Sequence, residues 1–422
     1  MGFTRPKKAI GLDIGTHSAK AVLMSRYGGR LRVESALHVH LDRSLVNNDP
    51  VGAQALATRE AVRTMPAGQC LVVAALAGQS VVVRYPRLTN VPKDQLENAV
   101  SREAAHNIPY DLNDVFLDWS LLDEVKGEAT TQQLKVLLVA AKHEVIDSRM
   151  QVLSAAEVQC GVLGVDSLAL ADAAEACDFL RVGETVAIVN IGLSAACVHF
   201  IKDGVSNFIR EVNWGAREMV QAIAKDRRCS YEDAVRMLEE YQYTAPPLPV
   251  AVDADDIPMA QEIPAAVPVR PASASSLLDP LDDEAFEMTR GASTGRRPSE
   301  RPAGADPFAA QATIQQRELA DVLAPSLTRM ATEFRRSFDF YEHQLYEQPV
   351  TRIILSGGVA TMGLVREALQ YELGVDDIES ARPDESALLF GDDESVRDLL
   401  EQPAQFMVAI GLAARGMADI SG

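Results

Sequence analysis

Three short stretches combine residue types that suit a phosphorylated ligand. In IGLDIGTHSAK (residues 10–20) an apolar run ends in Asp13, and side-chain bulk then disappears at Gly15. A carboxylate at the end of a buried strand costs free energy unless a cation or polar ligand meets it. Thr16 and Ser18 add hydroxyl donors, Lys20 follows close enough to offset charge, and His17 sits in the turn, either as a base or as an exposed turn histidine. VAIVNIGLSAA (186–196) repeats the pattern with Asn190, Gly192 and Ser194. IILSGGVATMGLV (353–365) ends a strand in Gly357-Gly358. Turns without bulk let backbone N–H groups approach anionic oxygens. A carboxylate such as Asp13 suits Mg2+ held through water. Paired glycines at a strand end leave room for a flat group such as adenosine. Each stretch alone reads as a hairpin or crossover turn, but two matching hairpins can clamp one ligand from both sides.

The elements that must position these residues follow from the apolar pattern. Residues 8–13, 19–25 and 31–40 predict three strands, with RYGGRL as a hairpin turn, and residues 185–212 repeat that meander. Residues 51–64 predict a helix. CLVVAALAG (70–78) and SVVVRYPRL (80–88) predict a strand pair, Pro92 opens a helix to about residue 105, and VFLDWSLLDEV and QQLKVLLVAA predict another pair. A helix over 143–158, a strand around CGVLGVD, and helices near 215–227 and 230–242 come next. Residues 244–307 hold 11 of the 21 prolines and show no apolar periodicity, which predicts a disordered linker or insertion. A long helix over 313–347, with Pro325 as a possible kink, precedes the glycine pair. FMVAIGLAARG (406–416) predicts a final packed helix.

Bulk properties narrow the class. The 422 residues carry a net charge of -20, from 60 acids against 40 bases, which argues against nucleic acid as a partner. The five cysteines are scattered with no CxxC, as expected of buried thiols in a reducing compartment. No signal peptide and no apolar run of the ~20 residues a spanning helix needs is visible, so no direct membrane span is expected.

Strand–DxG, strand–NxG and strand–GG, in this order, are the three nucleotide elements of the actin-like ATPase superfamily, which the chain resembles over most of its length. VPKDQLENAVSREAAHNIPYDLNDVFLDWSLL, KVLLVAAKHEVIDSRMQVLSAAEV, FRRSFDFYEHQ and FMVAIGLAARG narrow the resemblance to PilM, the actin-like family of type IV pilus assembly. The match spans nearly everything except residues 244–310. It implies an α/β, actin-like (duplicated ribonuclease H-like), two-lobed fold with an FtsA/PilM-type inserted subdomain. The first lobe would comprise 1–66, with 159–178 and the helix 403–416 returning to it. The insert would span 67–158, the second lobe 179–243 and 311–402, and the disordered Pro-rich insertion 244–310. The resemblance further implies ATP and Mg2+ as cofactors. Asp13, Gly15, Thr16, His17, Ser18, Lys20, Asn190, Gly192, Ser194, Gly215, Gly357 and Gly358 would bind the nucleotide, with Asp13 on the metal. Partners would be other pilus assembly proteins and a PilN-like inner-membrane protein, whose cytoplasmic tail would dock on the insert and hold this protein at the inner face of the membrane.

The sequence departs from that pattern at Asn190, where related proteins generally carry Asp, and at Gly215-Ala216, where two glycines are common. YEDAVRMLEEY (231–241) resembles the helix beside the nucleotide but lacks its basic residue. A neutral amide cannot act as a general base. ATP binding with weak or absent hydrolysis is the expectation, and no catalytic residue is assigned. Two rivals stand beside it: a small-molecule kinase of the same superfamily, which would need a base not found here, and an FtsA-like division protein, which would need an amphipathic anchor beyond the closing GLAARGMADISG.

Overall fold

The computed structural model describes residues 6–126, 132–244, 318–383 and 385–418. Most of the expected Pro-rich insertion, 245–310, and the first residues of the expected long helix lie outside the described residues. All described residues belong to one unit, Met1–Pro247 with Glu318–Gly422.

The opening run folds as an antiparallel meander of β1 (Lys8–Ile14), β2 (Ser18–Tyr27) and β3 (Arg30–His40). Ala9, Ile10 and Leu12 of β1 are fully buried, as an unbroken apolar run in a central strand requires. α1 (Arg43–Val46) and α2 (Pro50–Val62) follow, each opened by an aspartate cap, Asp42 and Asp49. β4 (Leu71–Leu76) then joins β1 in parallel.

The chain next builds a separate small sheet. β5 (Val81–Arg84) and β6 (Arg87–Thr89) pair with one edge of β8 (Gln132–Lys142), and β7 (Val115–Lys126) pairs with the other. α3 (Leu96–Asn107) covers one face, packing Ala99, Val100 and Ala104 against Leu134, Val136 and Leu138. α4 (His143–Ala155) returns to the first sheet, where β9 (Val162–Val165) pairs with β4 and leads directly into α5 (Asp166–Ala176). One expected pair is corrected here: β4 and β5 do not pair. β4 lies between β1 and β9, whereas β5 crosses to β8. Gly78–Ser80 form a short helical turn between them, so the chain changes sheets where a hairpin was expected.

The meander recurs as β10 (Thr185–Ile191), β11 (Ala196–Lys202) and β12 (Val205–Val212), followed by α6 (Arg217–Arg227) and α7 (Tyr231–Thr244). α8 (Leu319–Asp339) runs through Pro325 and ends in a π-helical turn at Phe340–Gln344. β13 (Arg352–Gly357), α9 (Gly363–Leu373), β14 (Asp377–Ser380), β15 (Leu389–Phe390), α10 (Arg397–Glu401) and α11 (Met407–Met417) complete the described chain. The large sheets share one plan: β3-β2-β1-β4-β9, edged by β15, and β12-β11-β10-β13-β14.

α5 and α11 lie between these sheets and share one continuous core with both. Their approach is close: a Cβ on Gly411 would stand 1.8 Å from the carbonyl oxygen of Ala169. Gly411→Ala should therefore force the two helices apart and destabilise the fold by about 2–4 kcal/mol, read as a lower urea midpoint.

Candidate functional site

Duplication of the meander brings the two turns face to face. Strand register aligns Asp13, Lys20 and His38 in one row across β1–β3. The corresponding row across β10–β12 holds Asn190, Cys197 and Glu211. Each turn closes with the same bond: Gly15 N–H donates to Ser18 O at 3.0 Å, and Gly192 N–H to Ala195 O at 2.9 Å. The turns touch through their hydroxyls, with Thr16 Oγ1 2.8 Å from Ser194 Oγ. Behind them lies a cavity of 730 Å3, within the ~300–1,000 Å3 usual for cofactor sites. Every site residue expected from the sequence lines it except Gly215.

The glycines divide by role. Gly357 has φ +95, and a Cβ there would lie 2.2 Å from Ile191 O, so it locks β13 against β10. Gly358 N–H donates to the same carbonyl at 3.1 Å, and a Cβ on Gly358 would meet open space. Gly215 does not line the cavity, and the structure gives its missing side chain a packing role. Its missing side chain lets the start of α6 dock on the second turn, since a Cβ would stand 2.4 Å from Leu193 O. Ala216 N–H and Arg217 N–H then donate to Gly192 O and Leu193 O at 3.0 and 2.9 Å.

Cations stand at both turns. Lys20 Nζ is 3.2 Å from Asp13 Oδ2, with both side chains largely buried. Arg149, on α4, donates from Nη2 to Ile14 O at 3.1 Å, while its buried Nη1 has no hydrogen-bond partner. Arg217 Nη2 donates to Ser194 Oγ at 3.0 Å. Such donors, with the backbone of both turns, can hold a chain of anionic oxygens. Among the described residues no group of three or more His, Cys, Asp or Glu could hold a metal ion. Mg2+ held by Asp13 would therefore complete its shell from water and phosphate, its usual habit.

His17 is neither an exposed turn histidine nor a free base. Its ring is half-buried, and burial, then Arg43, His40 and Lys20, lower its pKa to about 3. Arg43 Nη2 can only donate, so His17 Nδ1 accepts; Nε2 then carries the proton and donates to His40 Nδ1 at 3.1 Å. No lone pair is left to abstract a proton. Asn190 Oδ1 lies 3.2 Å from the Ser356 hydroxyl, whose one proton it shares with Ala404 O at 3.0 Å, and its neutral amide takes no proton either.

Sequence reasoning missed five charged residues of the cavity wall: Arg149, Asp166 and Glu211, and the more exposed Glu144 and Glu239. Asp166 had a signal, because CGVLGVD is a second apolar strand ending in an acid. Its Oδ1 accepts from Gly78 N–H at 2.7 Å and Ser167 N–H at 2.6 Å. Burial, then Asp13, raises Asp166 to about 7. Glu211 becomes visible once the two meanders are aligned strand for strand. Burial, then Asp166, raises it to about 8. Arg149, a single base on a mixed helix, had none.

The family described as type IV pilus assembly protein PilM matches residues 11–244 and 309–417. The chain belongs to the PilM family. Among solved structures, a chain of a PilM-PilN type IV pilus biogenesis complex superposes with a TM-score of 0.69 at 20% identity, covering 97% of this chain and 99% of that one. Ethanolamine utilization protein EutJ from Carboxydothermus hydrogenoformans matches at 12% identity and a TM-score of 0.47, over 97% of this chain and 90% of that one. The activator of the 2-hydroxyisocaproyl-CoA dehydratase from Clostridium difficile, with bound ADPNP, matches at 11% identity and 0.38, over 98% and 100%. The fold is the two-lobed, actin-like α/β fold expected from the resemblance. Among the described residues no helix is long and apolar enough to cross a membrane.

Glu211 makes stability depend on pH. Its ordinary value is 4.5 and its value in the fold about 8, so between these pH values the fold keeps a proton that the unfolded chain releases. This contribution is unfavourable and grows as pH rises through that window. Glu211→Gln should leave stability at pH 5 nearly unchanged. At pH 8 it should raise it by on the order of 2 kcal/mol, measured by urea denaturation at the two pH values.

Proposed function

We propose that this PilM-family chain is a nucleotide-binding scaffold of type IV pilus assembly. The observation that carries the reading is the convergence of both hairpin turns and Gly357-Gly358 on one cavity, with the buried Nη1 of Arg149 left unpaired at its wall. ATP fits that arrangement. Backbone N–H groups of the two turns, Thr16, Ser194, Lys20 and Arg149 would face the phosphates, Asp13 would hold a hydrated Mg2+, and the open side of Gly358 would face the adenosine. Bound Mg2+ would neutralise phosphate charge, while this chain's residues orient the chain of oxygens. Asn190 is a neutral amide and the ring of His17 is occupied, which supports binding with weak or absent hydrolysis.

The partner reading rests on family membership. The subdomain 67–158, inserted into a first lobe of 1–66 with 159–178 and 403–416 and followed by a second lobe of 179–243 with 311–402, would receive the cytoplasmic tail of a PilN-like inner-membrane protein and so hold the chain at the inner face of that membrane. An extended tail lying beside strands and a helix is a common recognition mode.

Calorimetry with ATP–Mg2+ tests the site. Arg149→Ala should weaken binding at least about tenfold, or about 1.4 kcal/mol. Asp13→Ala should weaken ATP–Mg2+ more than ATP in EDTA. Parent-like affinities in both variants would remove the assignment. The tail reading predicts saturable binding of a synthetic PilN-type N-terminal peptide to the full chain, and loss of binding when the peptide order is scrambled.

A further inference from the structure

A second cavity, of 680 Å3, lies between the small sheet and β12, and Gly78 and Glu211 line both cavities. The contacts across it are polar: Tyr85 to Ser206, Lys135 to Asn207, and Arg87 to Glu347 at 2.8 Å. Joints of this kind move more readily than apolar ones.

One chain of hydrogen bonds leads from the first cavity to the second, and its direction is fixed. Asp166 Oδ1, in the first cavity, accepts from the backbone N–H groups of Gly78 and Ser167. Ser167 O lies 2.8 Å from Nδ1 of His199, whose side chain is 0% exposed. A carbonyl only accepts, so Nδ1 carries the ring's proton. Burial holds His199 at about 4, so the ring is neutral near pH 7 and Nε2 is bare. Nε2 therefore accepts the Ser206 hydroxyl proton at 2.8 Å, and Ser206 Oγ accepts from Tyr85 O–H at 2.7 Å. Tyr85 faces the second cavity. Every donor and acceptor in the chain has one role, so moving one end leaves a buried group unpaired unless the other end follows.

Both backbone links of the small sheet also reach the first cavity. The chain leaves the first sheet through Gly78 and returns through α4, whose Glu144, Ser148 and Arg149 line that cavity. We propose that this chain couples the two cavities: occupancy of the first resets the Gly78 turn and the start of α5, and His199, Ser206 and Tyr85 carry the change to β5 and β6. His199 and Tyr85 are positioning residues here. The proposal rests on the nucleotide reading above for its natural trigger.

Hydrogen exchange read by mass spectrometry on the full chain tests it in two arms. With saturating ATP–Mg2+, peptides within 78–89 and 205–212 of the parent should change exchange rate by about threefold or more. Tyr85→Phe, which removes one hydroxyl, should bind ATP as the parent does by calorimetry but lose that response in 81–89. The second arm needs no nucleotide: Asp166→Ala should speed exchange in 81–89 of the parent and add little in the Tyr85→Phe background. A parent that binds ATP with no change at 78–89, or a Tyr85→Phe variant with the full response, overturns the coupling. Failure of ATP to bind the parent removes the nucleotide trigger alone, and additive effects in the second arm then overturn the chain itself.

Discussion

A carboxylate at the end of a buried strand must be matched, and here the match is made across strands. Lys20 lies opposite Asp13 in the register of β1 and β2 and reaches its carboxylate. In the second meander the same two places hold Asn190 and Cys197. The thiol of Cys197 is buried and held well above its ordinary pKa, first by burial and then by Glu211, so it offers no counter-charge. An acid at 190 would face that neutral thiol, with Glu211 next in the row. An amide suits the place, and Ser356 engages it. The two changes belong together: once the cation is gone, the acid has no partner to hold its charge.

This asymmetry sets what the cavity can do. One turn brings charge, through Asp13, Lys20 and the unpaired nitrogen of Arg149. The other carries no charge of its own and brings Ser194, which Arg217 engages, and the backbone that Gly215 allows α6 to buttress. Binding needs only complementary donors around the anion, whereas hydrolysis also needs a group that takes a proton in the right place. Asp166 and Glu211 are the buried acids of the wall, and burial makes both hold protons to unusually high pH, whereas Glu144 and Glu239 stand exposed along it.

Much of this was legible in the sequence because it depends on local pattern. The two meanders, the glycine pair and the eleven cavity residues named from them follow from apolar runs that end in a polar residue and glycine. Three features were not, each for a stated physical reason. CLVVAALAG and SVVVRYPRL are both strands, but their strand neighbours lie far away in sequence, and apolar period alone does not name a partner. Gly215 was recognised as special, but a glycine near a ligand and a glycine beneath a neighbouring helix look alike in one sequence. Arg149 points into the cavity because α4 packs its Val152 and Leu153 on the first sheet, and that depends on tertiary packing.

The distribution of apolar burial decides where the molecule can respond to a ligand. The two large sheets share a single core through α5 and α11, so sliding one against the other would open well-packed apolar surface. The small sheet has its own core beneath α3 and joins the first sheet through a minor cluster around Leu76, Val81, Ala141 and Val165. Its contact with β12 is a set of polar bonds around a cavity. Displacing the small sheet from β12 therefore exposes little apolar surface, and water can replace the polar bonds it breaks. A ligand that engages Arg149 or Asp166 acts on the two backbone links that hold this sheet. The subdomain proposed above to receive the partner's tail is thus also one with little apolar resistance to movement.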